Sequence, residues 1–279
     1  MWYDGQLCED VVSGIEWDGV VGMKIDRERA FHTFREYVAH YNAQDEKVRL
    51  KIEHTYRVAD LCEVIARSLQ MSETEVDLAW LIGLLHDVGR FEQLRNYGTF
   101  NDAQSIDHAK YGVEILFAQG KIRDYLADDG EDVLIEAAVS HHNEYRIPED
   151  LDERTQQFCH IIRDADKIDI LKVNIEFPLE EIYNVTSTEL RSGQVTEEVM
   201  RSFEEEHAVL RALKRTAVDN VVGHISLVYE LVYPVSLELV REQGYLEQLM
   251  NFTSENPVTN GQFVRIREKM NEYIERKRG

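Results

Sequence analysis

The chain has 279 residues, of which 43% are hydrophobic, and its 53 acidic residues against 31 basic ones give a net charge of −22. Such an acidic protein repels nucleic acid, so we expect no duplex partner, whereas a small phosphorylated ligand is compatible with local basic residues. No apolar run is long enough to span a membrane, residues 1–21 lack the pattern of a signal peptide, and the three cysteines form no disulfide or metal pattern; we therefore expect a cytoplasmic protein without a membrane partner.

Helical periodicity dominates the sequence from residue 26 onward. The chain contains four prolines and few alternating β-branched stretches, which predicts an all-α protein. A first helix is predicted over 26–41 and a second over 45–69. His54 precedes Val58 by four residues, so it shares the apolar, inward face of the second helix.

The third predicted helix begins at Ser72, which forms a capping-box pattern with Glu75. It carries the adjacent pair His86 and Asp87 inside an apolar run. A helix that buries such a run does not bury a carboxylate without a partner, because desolvation of the charge is costly. A metal ion would be that partner. Gly89 is expected to end or bend this helix.

Two further histidine positions follow along the chain. A loop over 96–105 precedes a helix that carries His108, and a helix over 132–143 ends in His141 and His142. We favour His141 as the inward-facing member of the pair, because it lies one turn beyond the apolar part of its helix. A single histidine of this kind is more often a core residue than a ligand, so the interpretation depends on the whole set.

A long helix predicted over 152–174 carries Asp166. Because Asp166 lies four residues from both Ile162 and Ile170, it shares their inward face. Imidazoles and carboxylates that converge from separate helices are the means by which a helical bundle builds a metal site in its core. The candidate metal ligands are His54, His86, Asp87, His108, His141 and Asp166.

The C-terminal part of the chain shows no further ligand pattern. Helices are predicted over 197–213, 217–233, 235–249 and 264–277. We divide the chain into an N-terminal extension (1–25), a metal-binding helical domain (26–185) and a C-terminal helical extension packed on it (186–279). The extension is expected to pack on the domain, to cover the metal cleft and shape the substrate pocket, or to form a homodimer interface.

The ordered motifs resemble the HD-domain superfamily of metal-dependent phosphohydrolases over about residues 50–175. The resemblance rests on HTYRV at 54–58, GLLHDVGR at 83–90, DHAKYG at 107–112, SHHNEYRIP at 140–148 and RDADKIDIL at 163–171. It implies a helical bundle with additional C-terminal helices and a two-metal centre. In that centre the first metal would be held by His54, His86, Asp87 and Asp166, and the second by His108, His141 and a bridging Asp87.

The resemblance also implies roles for residues around the metals. Asp87 would set the metal spacing, and Asp166 would anchor the first metal and orient the nucleophile. Arg90, one turn beyond His86, is expected to be a catalytic and substrate-binding residue, because a guanidinium suits bidentate phosphate contact. The alternative for Arg90 is a cation that stabilises a helix C-terminus. Further substrate-binding candidates are Arg57, Lys110 and Asn143.

The ligand set suits two divalent transition metals, Fe, Mn, Ni, Co or Zn, with Mg as a further option. The activity implied is that of a phosphomonoesterase or phosphodiesterase acting on a nucleotide or another small phosphate ester through a metal-bridging hydroxide. Cyclic dinucleotide phosphodiesterases of this superfamily carry a Gly-Tyr-Pro signature after the double histidine, and residues 142–148 lack it. Two alternatives remain: a di-iron oxygenase of the same superfamily and a non-catalytic, metal-binding sensory module.

Overall fold

The computed structural model describes residues 25–278, which form helices joined by short connections, with no strand among them. This confirms the all-α fold class. Residues 1–24, and with them nearly all of the predicted N-terminal extension (1–25), lie outside the described residues. Within 25–278, none of the helices combines the length and the apolar composition that crossing a bilayer requires.

The first part of the chain builds the helices that carry the candidate ligands. They are α1 (Arg27–Val38), α2 (Glu46–Ser68), α3 (Glu73–Leu85), α4 (Val88–Tyr97), α5 (His108–Val113), α6 (Ile122–Tyr125), α7 (Asp132–His141) and α8 (Glu153–Glu176). A 3-10 turn (Asp102–Gln104) precedes α5, and a π-helical segment (Glu114–Ala118) follows it.

The second part of the chain consists of shorter helices and one long terminal helix. They are α9 (Leu179–Tyr183), α10 (Ser187–Ser192), α11 (Glu197–Glu204), α12 (Ala217–Ile225), α13 (Pro234–Gln243), α14 (Tyr245–Met250) and α15 (Pro257–Arg278). Two 3-10 turns (Arg211–Leu213 and Ser226–Glu230) flank α12.

Side-chain caps fix where several of these helices begin. The predicted capping box is present at α3, where the Ser72 hydroxyl accepts from the backbone N–H of Glu75 and the Glu75 carboxylate accepts in return. Asp107 caps α5 by accepting from the backbone N–H groups of Ala109 and Lys110. Asp152 caps α8 by accepting from a backbone N–H of its first turn.

Three of the predicted C-terminal helices are shorter than the apolar periodicity suggested. The helix predicted over 197–213 ends at Glu204, and Glu206 then adopts a left-handed φ of 63°. The helix predicted over 235–249 is divided at Gly244, whose φ of 69° ends α13. The helix predicted over 217–233 tightens into a 3-10 turn after Ile225.

Helix α8 lies at the centre of the molecule. It packs against α2, α3 and α7 on one side and against α12, α13 and α14 on the other. The buried Asp164 carboxylate accepts from the backbone N–H groups of Val232 and Tyr233, each at 3.0 Å, which fastens the C-terminal part to α8. A single hydrophobic cluster includes residues from both predicted units, and the division at residue 185 stays a prediction.

Two glycines allow backbones to approach closely where the candidate ligands lie. A Cβ atom on Gly83 would be 2.6 Å from Ala59 Cα, and one on Gly89 would be 2.2 Å from the carbonyl oxygen of His108 and 2.6 Å from Gly112 N. Side-chain carbons do not come so near to backbone atoms. Gly89 is therefore required by the packing of α4 on α5.

Substitution of Gly89 by alanine is expected to destabilise the protein by about 3 kcal/mol, because the new methyl group pushes α5 and His108 away from α4. Urea unfolding measures this change. Gly261→Ala is the control: nothing lies within 4 Å of that position in α15, so we expect a gain of about 0.5–1 kcal/mol. Equal stability of Gly89→Ala and wild type would contradict the packing argument.

Candidate metal centre

The candidate ligands converge in the interior, at one end of the α2–α3–α8 packing. His54 comes from the middle of α2, and His86 and Asp87 come from the junction of α3 and α4. His108 is the first residue of α5, and Asp166 lies in the middle of α8. Five of the six predicted ligands are thus close together, although they are far apart in sequence.

The junction of α3 and α4 explains how a carboxylate enters the core. Helix α3 ends at Leu85 and α4 begins at Val88, so Asp87 lies outside the regular helix, with φ of −107° and ψ of 15°. Its side chain is 2% exposed. Burial by itself would raise the pKa of Asp87, but the Lys51 ammonium and His86 lower it well below its usual value, so the carboxylate is ionised.

One group of ligand atoms surrounds Asp87 Oδ2. His54 Nε2 lies 3.5 Å and His86 Nε2 3.4 Å from this oxygen. Asp166 Oδ1 closes the group, 3.2 Å from His54 Nε2. Both Nε2 atoms are buried and have no hydrogen-bond partner among the described residues. Buried nitrogen atoms without a partner are costly, and a cation among them would remove that cost.

A second group surrounds the other carboxylate oxygen. His108 Nε2 lies 3.4 Å and His142 Nε2 3.8 Å from Asp87 Oδ1, and the two Nε2 atoms are 3.0 Å apart. The Nδ1–H of His142 donates to the carbonyl oxygen of Val139 at 2.7 Å. Burial, together with His108 and His86, lowers the pKa of His142 to about 3. His142 is therefore a neutral imidazole whose Nε2 lone pair faces the centre.

Every one of the four imidazoles has its Nδ1 atom held from outside the centre. The acceptors are Asp169 Oδ2 for His54 at 2.7 Å, the Gly83 carbonyl for His86 at 2.7 Å, Asp102 Oδ2 for His108 at 2.8 Å and the Val139 carbonyl for His142 at 2.7 Å. A carbonyl or an ionised carboxylate can only accept, so each Nδ1 carries a proton, and in the neutral form of each imidazole Nε2 is then a lone pair. Four lone pairs that converge on one carboxylate fit divalent metal ions.

The structure corrects the choice between the two adjacent histidines. His142, not His141, is buried beside Asp87. The buried face of α7 includes Ile135 and Ala138, and His142 follows them by seven and four residues, which the helical repeat places on one line. His141 is half-buried and lies with its Nδ1 2.9 Å from Glu144 Oε2. The spacing from Ile135 was the signal that identifies the inward histidine.

Arg90 belongs to a hydrogen-bonded network beside the centre, and its Nε also lies 3.5 Å from Asp87 Oδ1. Its Nη1 donates to Asp102 Oδ1 at 2.7 Å and to the carbonyl oxygen of Phe100 at 2.7 Å. The other oxygen of Asp102 holds His108. Burial would raise the pKa of Asp102, but His108 and Arg90 lower it, so the carboxylate stays ionised. Arg90 thus positions His108 through Asp102, and its catalytic and substrate-binding role stays a prediction.

Arg57 is used in the same way on the other side of the centre. Its Nε and Nη2 donate to the two oxygens of Asp169 at 2.6 and 2.9 Å. Asp169 in turn accepts from His54. The guanidinium fork that the sequence suggested for substrate is therefore occupied by a buried carboxylate.

The two remaining substrate candidates lie at the outer edge of the site. The Lys110 side chain is 62% exposed, with Nζ 3.7 Å from Glu144 Oε1. Asn143 is exposed, and its Nδ2 donates to Asp107 Oδ1 at 3.0 Å. Neither contacts the group of atoms around Asp87, so a role in binding substrate stays a prediction for both.

The sequence reasoning missed Lys51. Its Nζ donates to Asp87 Oδ2 at 2.6 Å, and it lies 5.6 Å from the centre of the Phe100 ring. The side chain is 17% exposed. Lys51 precedes His54 by three residues on α2, so the helical repeat directs both side chains to the same place. That spacing was the available signal.

Arg163 was also missed, and it holds the end of α7 in place. It is buried, and it donates to the carbonyl oxygens of His141 and Tyr145, each at 3.1 Å, and to that of Glu144. The carbonyl group of His141 is one that a helix leaves without a partner at its C-terminus, and those of Glu144 and Tyr145 belong to the turn that follows α7. Arg163 therefore fixes the segment that carries His142.

Comparison with known proteins agrees with the geometry. Residues 52–171 match the HD domain family, which confirms the resemblance over this part of the chain. The chain is 25% identical over 111 residues to 3'3'-cGAMP-specific phosphodiesterase 1 of Vibrio cholerae serotype O1. That match covers 36% of this chain and 23% of the Vibrio protein, so the chain spans about a quarter of that relative. No solved structure matches significantly.

The assignment of His142, rather than His141, as the residue that faces the metal centre is directly testable. His142→Ala is expected to weaken metal binding by about 100-fold or more, since it removes an Nε2 atom from the centre. His141→Ala, the matched control one residue away, is expected to bind metal as wild type does. Competitive titration with a chromogenic chelator measures both affinities. A loss of affinity in His141→Ala alone would contradict the assignment.

Substitution of Lys51 by methionine tests whether this ammonium compensates the buried Asp87 charge. In metal-free protein we expect a loss of about 3 kcal/mol, because the carboxylate loses a cationic partner. In Mn²⁺-loaded protein the loss should be smaller, because the bound ions compensate the same charge. Urea unfolding with and without EDTA measures both values. Lys47→Met, on the exposed side of α2, is the control, and equal losses in the two states would refute the argument.

Proposed function

We propose that this protein is a metal-dependent phosphohydrolase, a phosphomonoesterase or phosphodiesterase that acts on a nucleotide or another small phosphate ester. The observation that carries the proposal is the Asp87 carboxylate, whose two oxygens face two separate groups of histidine Nε2 atoms. The HD domain match supports a metal-dependent phosphohydrolase at the level of the family. The two clusters, His54–His86–Asp87 and Asp87–His108–His142, fit one divalent ion each.

Metals at these ligands would polarise the phosphoryl group and lower the pKa of the water that attacks it. The protein residues supply the geometry for that reaction. Asp87 places one oxygen in each cluster, so it sets the separation between them. The imidazoles are held by their Nδ1 atoms, so they need little reorganisation during the reaction.

Two polar side chains of the centre remain partly open to solvent. Asp166 and Lys51 both have side chains that are 17% exposed, whereas the imidazoles of His54 and His86 are at most 2% exposed. Substrate therefore reaches the centre from the side of Asp166 and Lys51. We assign to Lys51 the phosphate contact that the sequence suggested for Arg90, because its ammonium can turn from Asp87 toward a non-bridging phosphoryl oxygen. Asp166 is placed to orient the attacking water.

The range of substrates that we propose is wider than the activity for which the Vibrio relative is named. That protein is named as specific for 3'3'-cGAMP, but the match covers 23% of it. Residues 142–148 lack the Gly-Tyr-Pro signature of cyclic dinucleotide phosphodiesterases. We therefore propose a small phosphate ester as the substrate and include the cyclic dinucleotide as a test compound.

Asp87→Ala is expected to abolish metal-dependent phosphate release, since it removes the carboxylate that both clusters share. The measurement is phosphate release from nucleotides, cyclic nucleotides, 3'3'-cGAMP and sugar phosphates, with a phosphatase added to reveal diester cleavage. Circular dichroism checks that the variant retains its helices.

Lys121→Met, which removes an exposed positive charge outside the candidate site residues, is the control, and we expect most of the activity to remain. Turnover that persists in a folded Asp87→Ala variant would refute the proposed mechanism. If metal-loaded wild type released no phosphate from any of the test compounds, the result would count against a phosphohydrolase.

A further inference from the structure

The face of α8 that carries Asp166 continues as a half-buried stripe away from the metal centre. Ile170 and Asn174 follow Asp166 by four and eight residues, so they lie on the same side of the helix. At 1.5 Å per residue, Asn174 is about 12 Å along the axis from Asp166. Asp166, Ile170 and Val173 are only partly covered, so a ligand bound at the centre can extend along this face.

A fixed polar group ends the stripe. The Asn174 side-chain oxygen accepts from the Tyr183 hydroxyl at 2.7 Å and from His224 Nδ1 at 2.7 Å. Burial, with Lys214 and Arg211, lowers the pKa of His224 to about 3, so this imidazole is neutral. With its Nδ1 proton donated to Asn174, His224 keeps a free Nε2 acceptor, which has no partner among residues 25–278.

Lys214 is an unpaired cation next to this group. Its ammonium lies against Gly223, where a Cβ atom would be 2.4 Å from both Cε and Nζ. Within residues 25–278 no carboxylate comes within 4.0 Å of it, and the same holds for the exposed Arg211. The nearby Asp219 is committed to backbone N–H groups, including those of Thr196 and others at the start of α12.

Other partly buried lysines of the protein have acidic partners. Lys51, Lys167 and Lys172 each have a carboxylate oxygen within 4.0 Å. Among residues 25–278 of this acidic chain, Lys214 is the one partly buried lysine without such a partner. Since a half-buried charge is costly when it is uncompensated, the natural partner for Lys214 is an anionic ligand, and the exposed Arg211 is available to contact the same ligand.

We propose that Lys214, Arg211 and His224 form a second anion-binding subsite, and that the substrate carries a further phosphate or carboxylate group that binds there. Lys214 and Arg211 contact the anion, and His224 Nε2 accepts from a hydroxyl group between the two ends of the ligand. The inference rests on the proposed function for the identity of the reacting end, and it narrows the substrates to esters with two separated anionic groups.

Phosphonates test the subsite without turnover, because their carbon–phosphorus bonds are not ester bonds. The probes are decane-1,10-diphosphonate, whose extended chain is longer than the ~12 Å from Asp166 to Asn174, and decylphosphonate, which lacks only the second anionic group. Both are titrated calorimetrically into metal-loaded protein. Wild type is expected to bind the diphosphonate about tenfold more tightly than the monophosphonate, as one charge-assisted contact provides.

Lys214→Met is expected to remove this preference and to leave decylphosphonate binding unchanged. Arg211→Met should reduce the preference in part, and because Arg211 is exposed the substitution does not disturb packing. Lys121→Met, which removes an exposed positive charge after the π-helical segment, is the control and should retain the preference. No preference in wild type, or an unchanged preference in both Lys214→Met and Arg211→Met, would overturn the subsite.

The experiments can contradict the anion-binding subsite and the phosphohydrolase activity independently of each other. The absence of a diphosphonate preference in wild type, with phosphate release intact, contradicts the subsite alone. A preserved preference that depends on Lys214, in a protein that releases no phosphate, contradicts the phosphohydrolase alone and leaves a two-anion ligand site.

Discussion

The Asp87 carboxylate, 2% exposed in the interior of an all-α protein, has to be compensated, and its surroundings are organised by that need. Lys51 donates to one oxygen, and the histidine Nε2 atoms approach both. The break between α3 and α4 turns the carboxylate inward, and Gly89 lets α5 approach closely enough to bring His108 beside it. The position and the charge of Asp87 therefore depend on backbone geometry, on close helix packing and on charge compensation together.

The residues around the centre form an outer layer that determines which atoms face inward. Each imidazole is held at Nδ1, two by carboxylates and two by carbonyl groups of the preceding helical turn. The carboxylates are themselves held, Asp169 by Arg57 and Asp102 by Arg90. Such partners fix the tautomer and the orientation of a ligand histidine. Arg57 and Arg90, the arginines closest to the ligands in sequence, therefore both bind carboxylates of this layer.

The overall charge of −22 does not exclude individual cations near the candidate ligands. Lys51 lies at the centre, and Lys214 and Arg211 lie beyond the far end of the α8 stripe without acidic partners among the described residues. An acidic surface disfavours polyanions at long range, while a few cations inside a cleft attract a small phosphorylated molecule at short range. The C-terminal helices contribute to the cleft because Asp164 and the shared core attach them to α8.

The sequence by itself determined the helical class, the capping box of α3 and the convergence of most of the candidate ligands. These features depend on local periodicity and on apolar neighbours, which residues close in the chain supply. Only the tertiary structure decided which of His141 and His142 faces inward, because one residue along a helix rotates a side chain by about 100°. It also decided that Arg57 and Arg90 support ligands while Lys51 reaches the centre. Long, flexible side chains take their direction from partners on other helices, and those partners are distant in sequence.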